Sequence, residues 1–394
     1  MIRTLDDLDP GGAALGVRVD INSPLDDGGL ADDARLRAHV DTLSELLDRD
    51  ARVAVLAHQG RPGDDDFTTL EPHAAHLDEL LDAPVSYCDA TFSADAREAV
   101  ADLSSGEAVV LENTRFYSEE YMEWDPVAAG DTHLVAKLAP ALDAFVNDAF
   151  AAAHRSQPSL VGFPQRLDSF AGRVMEEELD VLGNITEEPE PRAYVLGGAK
   201  VVDSIDVARS VLERGIADSV LTAGIVGNAF LLADGVTLGA ESAQVVNERS
   251  SEAVKRAGEL LDDYGHRIYM PRDVAIERDG ERVELDVSQL PVDAPAMDVG
   301  SRTVAAYADV LEDAGTAILN GPAGVFENEL FEYGTRELYE AATRAERSIV
   351  GGGDTAAALR RLGITGFSHV STGGGAALRM LTGDRLPAVD ALDQ

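Results

Sequence analysis

The chain has 394 residues, of which 45% are hydrophobic, and its 72 Asp and Glu against 32 Lys and Arg give a formal net charge of -40. We exclude nucleic acid as a partner, because this field repels a phosphate backbone and no basic stretch offsets it. The length predicts two domains, each large enough to bury its own core.

The cysteine count, the N-terminal segment and the acidic excess indicate the cellular compartment. The single cysteine, Cys88, excludes an intramolecular disulfide and a cysteine-based metal cage, and favours a reducing environment. The N-terminal segment has no apolar leader and no window approaches 18 apolar residues, so we expect a cytoplasmic protein without a membrane partner. The acidic excess runs along the whole chain, which is typical of a halophilic cytoplasm, where molar salt screens carboxylate repulsion. An acidic face built for one basic partner is the alternative.

Short apolar runs rich in Val, Ile and Leu recur along the chain, and longer stretches with helical spacing, such as 35–50 and 202–215, follow them. Continuous apolar strands that alternate with amphipathic helices predict parallel sheets covered on both faces. We therefore predict an α/β fold of two doubly wound, Rossmann-like domains. The predicted strand segments are 16–22, 53–58, 109–113, 144–150, 193–198, 219–224, 267–271, 316–321, 348–353 and 368–374.

The predicted domain boundary lies between residues 165 and 190. Residues 166–185 have the composition of one long charged helix, and Pro189 and Pro191 then interrupt an acidic linker. We predict that this helix joins the domains as a spacer and hinge, with an ordinary surface helix as the alternative. The domains are then 1–170 and 171–375.

The first half of the chain carries arginine and histidine at the ends of its predicted strands. Guanidinium groups bind phosphate and carboxylate with two parallel hydrogen bonds, so this set predicts a site for a small acidic ligand. Taken singly, Arg18 with Asp20 could be a strand-end ion pair and His58 a core histidine. The set comprises Arg18, Asp20, Asn22, Arg35, His58, Arg61, Arg115 and Arg155.

The second half carries glycine-rich turns at 196–200, 320–327, 351–355 and 371–375, each directly after an apolar strand. Ligands of open α/β sheets bind beyond the carboxyl ends of the strands. Backbone amides at a helix start attract an anion, and Asp354 is a plausible N-cap. One such turn would be structural, but several together with Lys200 predict a phosphate site. Two anion sites in two domains imply a group passed between them.

Several phosphate-binding and metal motifs are missing. None of the three lysines, Lys137, Lys200 and Lys255, has Walker A context, and the protein-kinase signatures are absent. Residues 223–230 lack the GxGxxG spacing, which disfavours a dinucleotide dehydrogenase. HExxH is absent, and we interpret His73 and His76 as a helical surface pair.

The motifs RVDINSPL, AHQGRP, LENTRF, NDAFAAAHR, LGGAK, NGPAGVFE, GGGDT and STGGG resemble, in this order and spacing, those of phosphoglycerate kinase, over essentially the whole chain. The resemblance implies reversible phosphoryl transfer from 1,3-bisphosphoglycerate to ADP, giving 3-phosphoglycerate and ATP. It places the acidic sugar phosphate on the N-terminal domain and Mg-nucleotide on the C-terminal one. It also implies that the tail 376–394 packs back on the first domain, that transfer is in line after lobe closure, and that the enzyme is a monomer.

The family's roles carry over to matching positions. Arg18, Asp20, Asn22, Arg35, His58, Arg61, Arg115 and Arg155 would bind the acidic substrate, with Arg18 supporting. Asp354 would hold Mg²⁺, and the catalytic set would be Arg35, Lys200, Gly352 and Gly374. The nucleotide set would be Gly197, Gly198, Lys200, Asn320, Pro322, Gly324, Val325, Glu327, Gly351, Gly352, Gly353, Asp354 and Thr355, with Gly373 and Gly374 contacting phosphates.

The sequence departs from the family at two places. Ser204 stands where most relatives have a second lysine, and Thr222, Ala223 and Gly224 stand where a glycine triplet is usual. A two-lobed phosphometabolite sensor that has lost its chemistry is therefore one alternative, although Arg35, Lys200 and Asp354 argue against it. Another small-molecule kinase, acting on a carboxylate or carbamate, is the second alternative.

Overall fold

The computed structural model describes residues 2–26, 29–249, 252–371 and 373–393, which form two compact units. The first unit runs to Asp180 and takes up the chain again from Arg385, and the second unit is Val181–Asp384. The division therefore falls after Asp180, where the sequence predicted 170. The segment that rejoins the first unit begins at Arg385, where the sequence predicted 376.

The first unit is built on a six-stranded parallel sheet, so the predicted doubly wound α/β class is confirmed for it. Its strands consist mainly of Val, Ala and Leu, and the central ones are buried on both faces. A short antiparallel pair, Leu25–Asp26 with Gly29–Leu30, lies apart from it. Across the sheet the order is Val85–Cys88, Ala108–Leu111, Arg52–Leu56, Ala14–Arg18, Ala144–Asn147 and Ser169–Ala171.

The helices of the first unit cover the sheet. The predicted helix 35–50 is two helices that meet at His39. The final helix, Pro387–Leu392, comes from the end of the chain, and Ala388 N donates to Ala153 O over 3.1 Å. The α-helices are Ala34–Ala38, Val40–Asp48, Glu71–Leu80, Ala94–Ala101, Pro126–Gly130, His133–Leu138, Pro158–Val161 and Pro387–Leu392. Single 3-10 turns are Leu5–Asp7, Thr114–Phe116, Ser118–Tyr121, Ala139–Ala141, Phe150–Ala152 and Phe163–Gln165.

The helix that joins the units is Arg173–Gly183, shorter than the predicted 166–185. The prediction of its start was wrong because Ser169–Ala171 pairs with Ala144–Asn147 as an edge strand of the first sheet. Asp148 caps the helix, since its Oδ1 accepts from Val174 N at 2.9 Å and Met175 N at 3.4 Å.

The second unit has the same design, a six-stranded parallel sheet, together with an antiparallel three-stranded sheet that the sequence analysis did not predict. The parallel order is Ile268–Tyr269, Ser219–Thr222, Arg192–Leu196, Thr316–Asn320, Arg347–Gly351 and His369–Val370. The antiparallel order is Glu281–Asp286, Asp273–Arg278 and Asp298–Val299. The α-helices are Val201–Glu213, Gly224–Ala233, Ala240–Arg249, Ala253–Tyr264, Ser301–Glu312, Tyr333–Ala342, Gly353–Leu362 and Gly375–Leu381, and the 3-10 turns are Gly265–Arg267 and Val287–Gln289.

The hydrophobic cores of the two units determine where polar side chains can lie. Strand residues such as Val17, Val55, Val195 and Leu319 are buried, and the helices pack their apolar faces against them. Because both faces of each parallel sheet are covered, the polar side chains collect in the loops beyond the carboxyl ends of the strands.

Candidate active site

The acidic-ligand candidates of the first unit follow its central strands. Arg18 ends Ala14–Arg18, and Asp20 and Asn22 lie in the next turn, where Asn22 N donates to Asp20 Oδ1 over 3.3 Å. Asn22 Oδ1 accepts from Gly60 N at 2.9 Å, which ties this turn to the loop after the neighbouring strand. The structure therefore brings together two loops that the sequence separates.

Asp20 and Arg35 form an ion pair with 2.8 Å between Oδ2 and Nη1. Burial opposes ionisation of Asp20, yet Arg35, His58 and Arg18 together lower its pKa to about 2. Arg35 lies on the short helix Ala34–Ala38 and is about half exposed, so its remaining donors can reach a ligand.

In the part of the chain that the structure describes, Arg115 and Arg155 are short of hydrogen-bond partners. Arg115 donates to Gly60 O at 2.8 Å and lies over the Tyr121 ring, but its Nε is buried and unpartnered. Arg155 Nε is 3.3 Å from His154 Nε2, and its Nη1 is also buried without a partner. Burial, and then the nearby arginines, lower the pKa of Arg115 to about 10. Exposed Arg61 is one of the charges that act on both groups.

These features describe a site short of negative charge. A buried N–H without an acceptor costs free energy, and guanidinium groups that repel one another gain from an anion placed among them. Two acidic groups, Asp20 and Glu120, do not offset the four arginines Arg18, Arg35, Arg115 and Arg155. The geometry can therefore bind a ligand with several anionic oxygens.

Sequence reasoning missed the buried residues that support this site. His39 Nδ1 is 2.6 Å from Asp148 Oδ2, and its Nε2 accepts from Asp20 N at 3.0 Å. Asp148 stands in the quoted motif NDAFAAAHR, but nothing local indicates its partner, because the two side chains are 109 residues apart in the chain. Glu120 and Ser159 were likewise not singled out.

In the second unit three glycine turns interlock. Gly198 N donates to Pro322 O over 2.8 Å, and Gly321 N donates to Thr355 Oγ1 over 2.8 Å. A Cβ on Gly197 would come within 2.4 Å of Pro322 O, so only glycine permits this approach. The turns follow three adjacent strands, and Asn320 ends the middle one.

Helices begin directly after these turns. Exposed Lys200 is the N-cap of Val201–Glu213, Gly352 (φ 96°) is the N-cap of Gly353–Leu362, and Gly374 (φ 48°) is the N-cap of Gly375–Leu381. Asp354 lies in the first turn of its helix, directly after the glycines 351–353, and is not the N-cap that the sequence suggested. A small cavity is lined by Lys200, the glycines, Asp354 and Thr355. Gly373 N donates to Ser371 Oγ over 3.0 Å, and Thr372 of the same motif lies outside the described residues.

A larger cavity of about 460 Å³ continues from the turns. Gly198, Pro322, Gly324, Val325, Glu327 and Asp354 line one side, as expected for a nucleotide pocket. Gly224, Ile225, Asn228, Ser242, Val245, Pro295, Ala296 and Met297 line the rest, and of these the sequence analysis had pointed only to Gly224. No spacing rule marks these residues, because they come from three separate segments.

The two departures from the family occupy defined places. Ser204 is buried and lines the small cavity, and its hydroxyl has no hydrogen-bond partner within the described ranges. Thr222 Oγ1 donates to Tyr269 O over 3.1 Å, and Gly224 (φ 56°) starts the helix Gly224–Ala233. The positive φ of Gly224 strains any other residue, and a Cβ there would be only 3.1 Å from Gly198 N, so this glycine of the usual triplet is favoured by backbone conformation and by spacing.

Residues 5–384 match the family model described as phosphoglycerate kinase. The chain belongs to the phosphoglycerate kinase family. The phosphoglycerate kinase of Natronomonas pharaonis is 75% identical over 394 residues and all of both chains, and that of Halobacterium salinarum is 65% identical over 99% of each. The crystal structure of phosphoglycerate kinase from Pyrococcus horikoshii OT3 matches with a TM-score of 0.94 and 42% identity, covering 100% of this chain and 98% of that one.

Membership of the phosphoglycerate kinase family makes this chain an enzyme of reversible phosphoryl transfer between 1,3-bisphosphoglycerate and ADP. Its substrates are small molecules, and the family uses ADP and ATP with Mg²⁺. The match to relatives from halophilic archaea agrees with the acidic composition. Within the described residues, no helix combines the length and hydrophobicity needed to cross a membrane.

Proposed function

We propose that the first unit binds 3-phosphoglycerate or 1,3-bisphosphoglycerate through its arginine cluster. The observation that carries this assignment is the pair of buried guanidinium N–H groups on Arg115 and Arg155 that have no acceptor among the described residues. A phosphate or carboxylate oxygen would satisfy both, and charge-assisted bonds of this kind are about twice as strong as neutral ones. The proposed ligand set is Arg18 in support, with Asp20, Asn22, Arg35, His58, Arg61, Arg115 and Arg155.

The nucleotide is proposed to bind in the second unit, with its base in the larger cavity and its phosphates at the glycine turns. The cavity's volume suits a nucleoside, and Glu327 on its wall is an acceptor for ribose hydroxyls. The helix N-termini after Lys200, Gly352 and Gly374 favour anionic oxygens.

Asp354 fits the Mg²⁺ that accompanies the nucleotide. Mg²⁺ in such sites is held by one or two carboxylates together with substrate phosphates and waters, and Asp354 lines both cavities. Among the described residues no group of three or more metal-binding side chains occurs, which agrees with a metal that arrives on the phosphates. When bound, the ion neutralises phosphate charge.

The chemistry follows from these groups. A carboxylate leaves or attacks without a proton to move, so positioning and charge neutralisation dominate. Arg35, Lys200 and the amides of Gly352 and Gly374 are proposed to surround the moving phosphoryl in a direct in-line transfer. Water must be excluded during that step, because it would hydrolyse the acyl phosphate, and closure of the two units is the proposed means.

We further propose a monomeric, cytoplasmic enzyme. All the proposed ligand residues come from one chain, so no second copy is required to complete either site. Charged phosphorylated substrates stay in the compartment in which they are made. Sedimentation in molar KCl tests the first point, and a mass of about 42 kDa is expected from the 41.7 kDa chain.

A coupled assay with ATP and 3-phosphoglycerate in molar KCl tests the function, with acetate and carbamate as competing acceptors. We expect turnover with 3-phosphoglycerate alone. Equal turnover with acetate or carbamate would favour another carboxylate kinase, and binding of both substrates without turnover would favour a sensor.

A further inference from the structure

A buried chain of four polar side chains lies behind the arginine cluster, and we call it the relay: Glu120, Ser159, Arg18 and His58. Their exposed fractions are 1%, 0%, 0% and 2%. Four separate parts of the first unit contribute them. Arg18 and His58 follow adjacent strands, Glu120 lies in the turn Ser118–Tyr121, and Ser159 lies in the helix Pro158–Val161.

The hydrogen-bond directions at the Glu120 end are fixed by chemistry. Arg18 Nε, which can only donate, is 2.9 Å from Ser159 Oγ. Ser159 Oγ must therefore use its own proton to donate to Glu120 Oε1, and Ser159 N donates to Glu120 Oε2 over 3.2 Å. Both carboxylate oxygens accept, so Glu120 is satisfied as an anion and balances the buried charge of Arg18 through one hydroxyl.

The direction at the His58 end is fixed in the same way. Arg18 Nη2 is 2.8 Å from His58 Nδ1, and the guanidinium has no lone pair with which to accept. Nδ1 must therefore be unprotonated, which places the proton of a neutral imidazole on Nε2. Nε2 has no hydrogen-bond partner in the part of the chain that the structure describes, so this donor is available to a ligand.

The charges around His58 favour the same state. Burial lowers the pKa of His58 well below its usual value, and Arg18, Arg115 and Arg155 lower it further, while Asp20 opposes them. Burial raises the pKa of Glu120, and Arg18, the hydrogen bonds of Ser159 and then Arg115 counteract it. Burial and the neighbouring arginines therefore keep the His58 imidazole neutral at neutral pH. The hydrogen bond from Arg18 then decides which of its two nitrogens carries the proton.

We propose that Glu120 is a positioning residue that, through Ser159 and Arg18, holds His58 as the neutral Nε2–H tautomer, so that His58 offers the acidic substrate a fixed hydrogen-bond donor. The substrate part of this inference rests on the proposed function. Without Glu120, Arg18 would be a buried charge without a counter-charge and would seek another acceptor. His58 would then lose the donor that excludes a proton from Nδ1.

The test uses ¹⁵N-histidine NMR of the full-length enzyme in molar KCl, between about pH 5.5 and about pH 8.5, because histidine ordinarily titrates in this range. In the wild type we expect His58 to show protonated Nε2 and bare Nδ1 throughout. In Glu120→Gln we expect mixed tautomers or titration of His58, with KM for 3-phosphoglycerate raised about tenfold and kcat within about twofold. Glu119→Gln is the matched control: it removes the neighbouring carboxylate, which caps the helix His133–Leu138, and should leave the His58 signals unchanged.

Two outcomes overturn the proposal: a proton on Nδ1 of His58 in the wild type at neutral pH, or unchanged His58 signals in folded Glu120→Gln. If Glu120→Gln does not fold, Ser159→Ala, which deletes one oxygen of the relay, decides by the same signals. The spectra are recorded without substrate, so they can fail or succeed independently of the proposed function, which the coupled assay tests.

Discussion

At the residue scale, several guanidinium groups lie close together in the first unit, with few carboxylates among them. Asp20 is an acidic group that faces Arg35 and Arg18, and its low pKa reflects the pull of these cations against the effect of burial. Cations held this closely raise the free energy of the ligand-free site. A bound anion removes that repulsion, so the cluster is suited to bind and then to neutralise charge as it develops.

Arg35→Ala should lower turnover about 10³-fold, because an arginine that meets charge in the transition state contributes on that order. The KM for 3-phosphoglycerate should change far less. Steady-state kinetics of Arg37→Ala supply the control, since Arg37 lies on the same helix, is exposed and pairs with Asp33 at 2.7 Å. Wild-type turnover with only a raised KM would contradict the role of Arg35.

Lys200→Ala should lower turnover at least about a hundredfold, whereas Ser204→Lys should change it by less than about tenfold, or roughly 1.4 kcal/mol. Lys200 lies at the start of the helix Val201–Glu213, whereas position 204 has no ammonium group in the wild-type chain. Lys255→Ala, an exposed lysine paired with Glu259, is the control for loss of one charge. An active Lys200→Ala enzyme would show that Lys200 does not act on the transferred phosphoryl group.

At the element scale, each unit is stabilised by a contact that the local sequence does not predict. The last helix, Pro387–Leu392, buries Ala388, Ala391 and Leu392 in the first unit. In the second unit, Asp298 fixes a glycine turn to a helix: its Oδ2 accepts from Gly334 N at 2.8 Å, and a Cβ on Gly324 would be 2.3 Å from its Oδ1.

Deleting residues 384–394 should lower the melting temperature and the activity together. The loss exposes buried apolar side chains and removes the bond from Ala388 N to Ala153 O, two residues before Arg155. Calorimetry and the coupled assay measure both effects, with Asp390→Ala, which breaks only an exposed pair with Arg385, as the control. Unchanged melting and turnover would refute the argument.

Asp298→Asn should flatten the pH dependence of stability between about pH 4 and about pH 6. Burial raises the pKa of Asp298 from 3.8 to about 6, although Gly334 N and Arg282 lower it in part. The folded state therefore binds more protons than the unfolded state in this window, so the free energy of unfolding falls as pH rises, by up to about 3 kcal/mol.

Urea unfolding at fixed KCl measures this effect. Asp279→Asn, at an exposed hairpin turn with positive φ that asparagine tolerates, is the control and should keep the wild-type profile. Parallel profiles for wild type and Asp298→Asn would show that Asp298 does not titrate in this window.

How far sequence could predict the fold is clearest in particular elements. Each of the ten predicted apolar runs overlaps a strand, and most of these strands are hydrophobic along their length because they are buried on both faces. The edge strand Val85–Cys88 was missed, since it is only partly buried. The hairpin Asp273–Asp286 was also missed, although Asp279–Gly280 is a standard turn signal between its alternating strands.

The residues of the candidate sites were likewise only partly predictable from the sequence. Local motifs were enough to choose Lys200 and Asp354 as candidates, because their chemistry is tied to glycine turns. Arg35 lies on the helix Ala34–Ala38 and not at a strand end, and its catalytic role was assigned through the family resemblance. The supporting groups were out of reach: Ser159 meets Arg18 across 141 residues, and only the folded chain brings them together. His39, at which the predicted helix 35–50 divides, likewise contacts the distant carboxylate of Asp148.

At the scale of the whole molecule, the excess of carboxylates sets the conditions for stability. With a net charge of -40, repulsion among acidic side chains opposes folding in dilute buffer, and salt reduces its range to roughly 3 Å at 1 M. Many arginines are already engaged in pairs, for example Arg173 with Glu45 at 2.7 Å, and leave most carboxylates to the solvent.

The melting temperature should therefore rise steeply between low and molar KCl. Calorimetry across that range, at one pH and protein concentration, measures the effect. Sucrose at matched osmolality is the control, because it leaves the carboxylates unscreened. A flat melting temperature across the KCl series would refute the halophilic interpretation.

The assignment of residues from Arg385 onward to the first unit has a consequence for biosynthesis. Domains usually fold in the order in which the ribosome releases them, at about 5–20 residues per second. Here the second unit is one continuous segment and is fully translated before the first unit has its last helix. The first unit to be started is therefore the last to be finished, and a chain halted near its end would carry a complete second unit and an incomplete first unit.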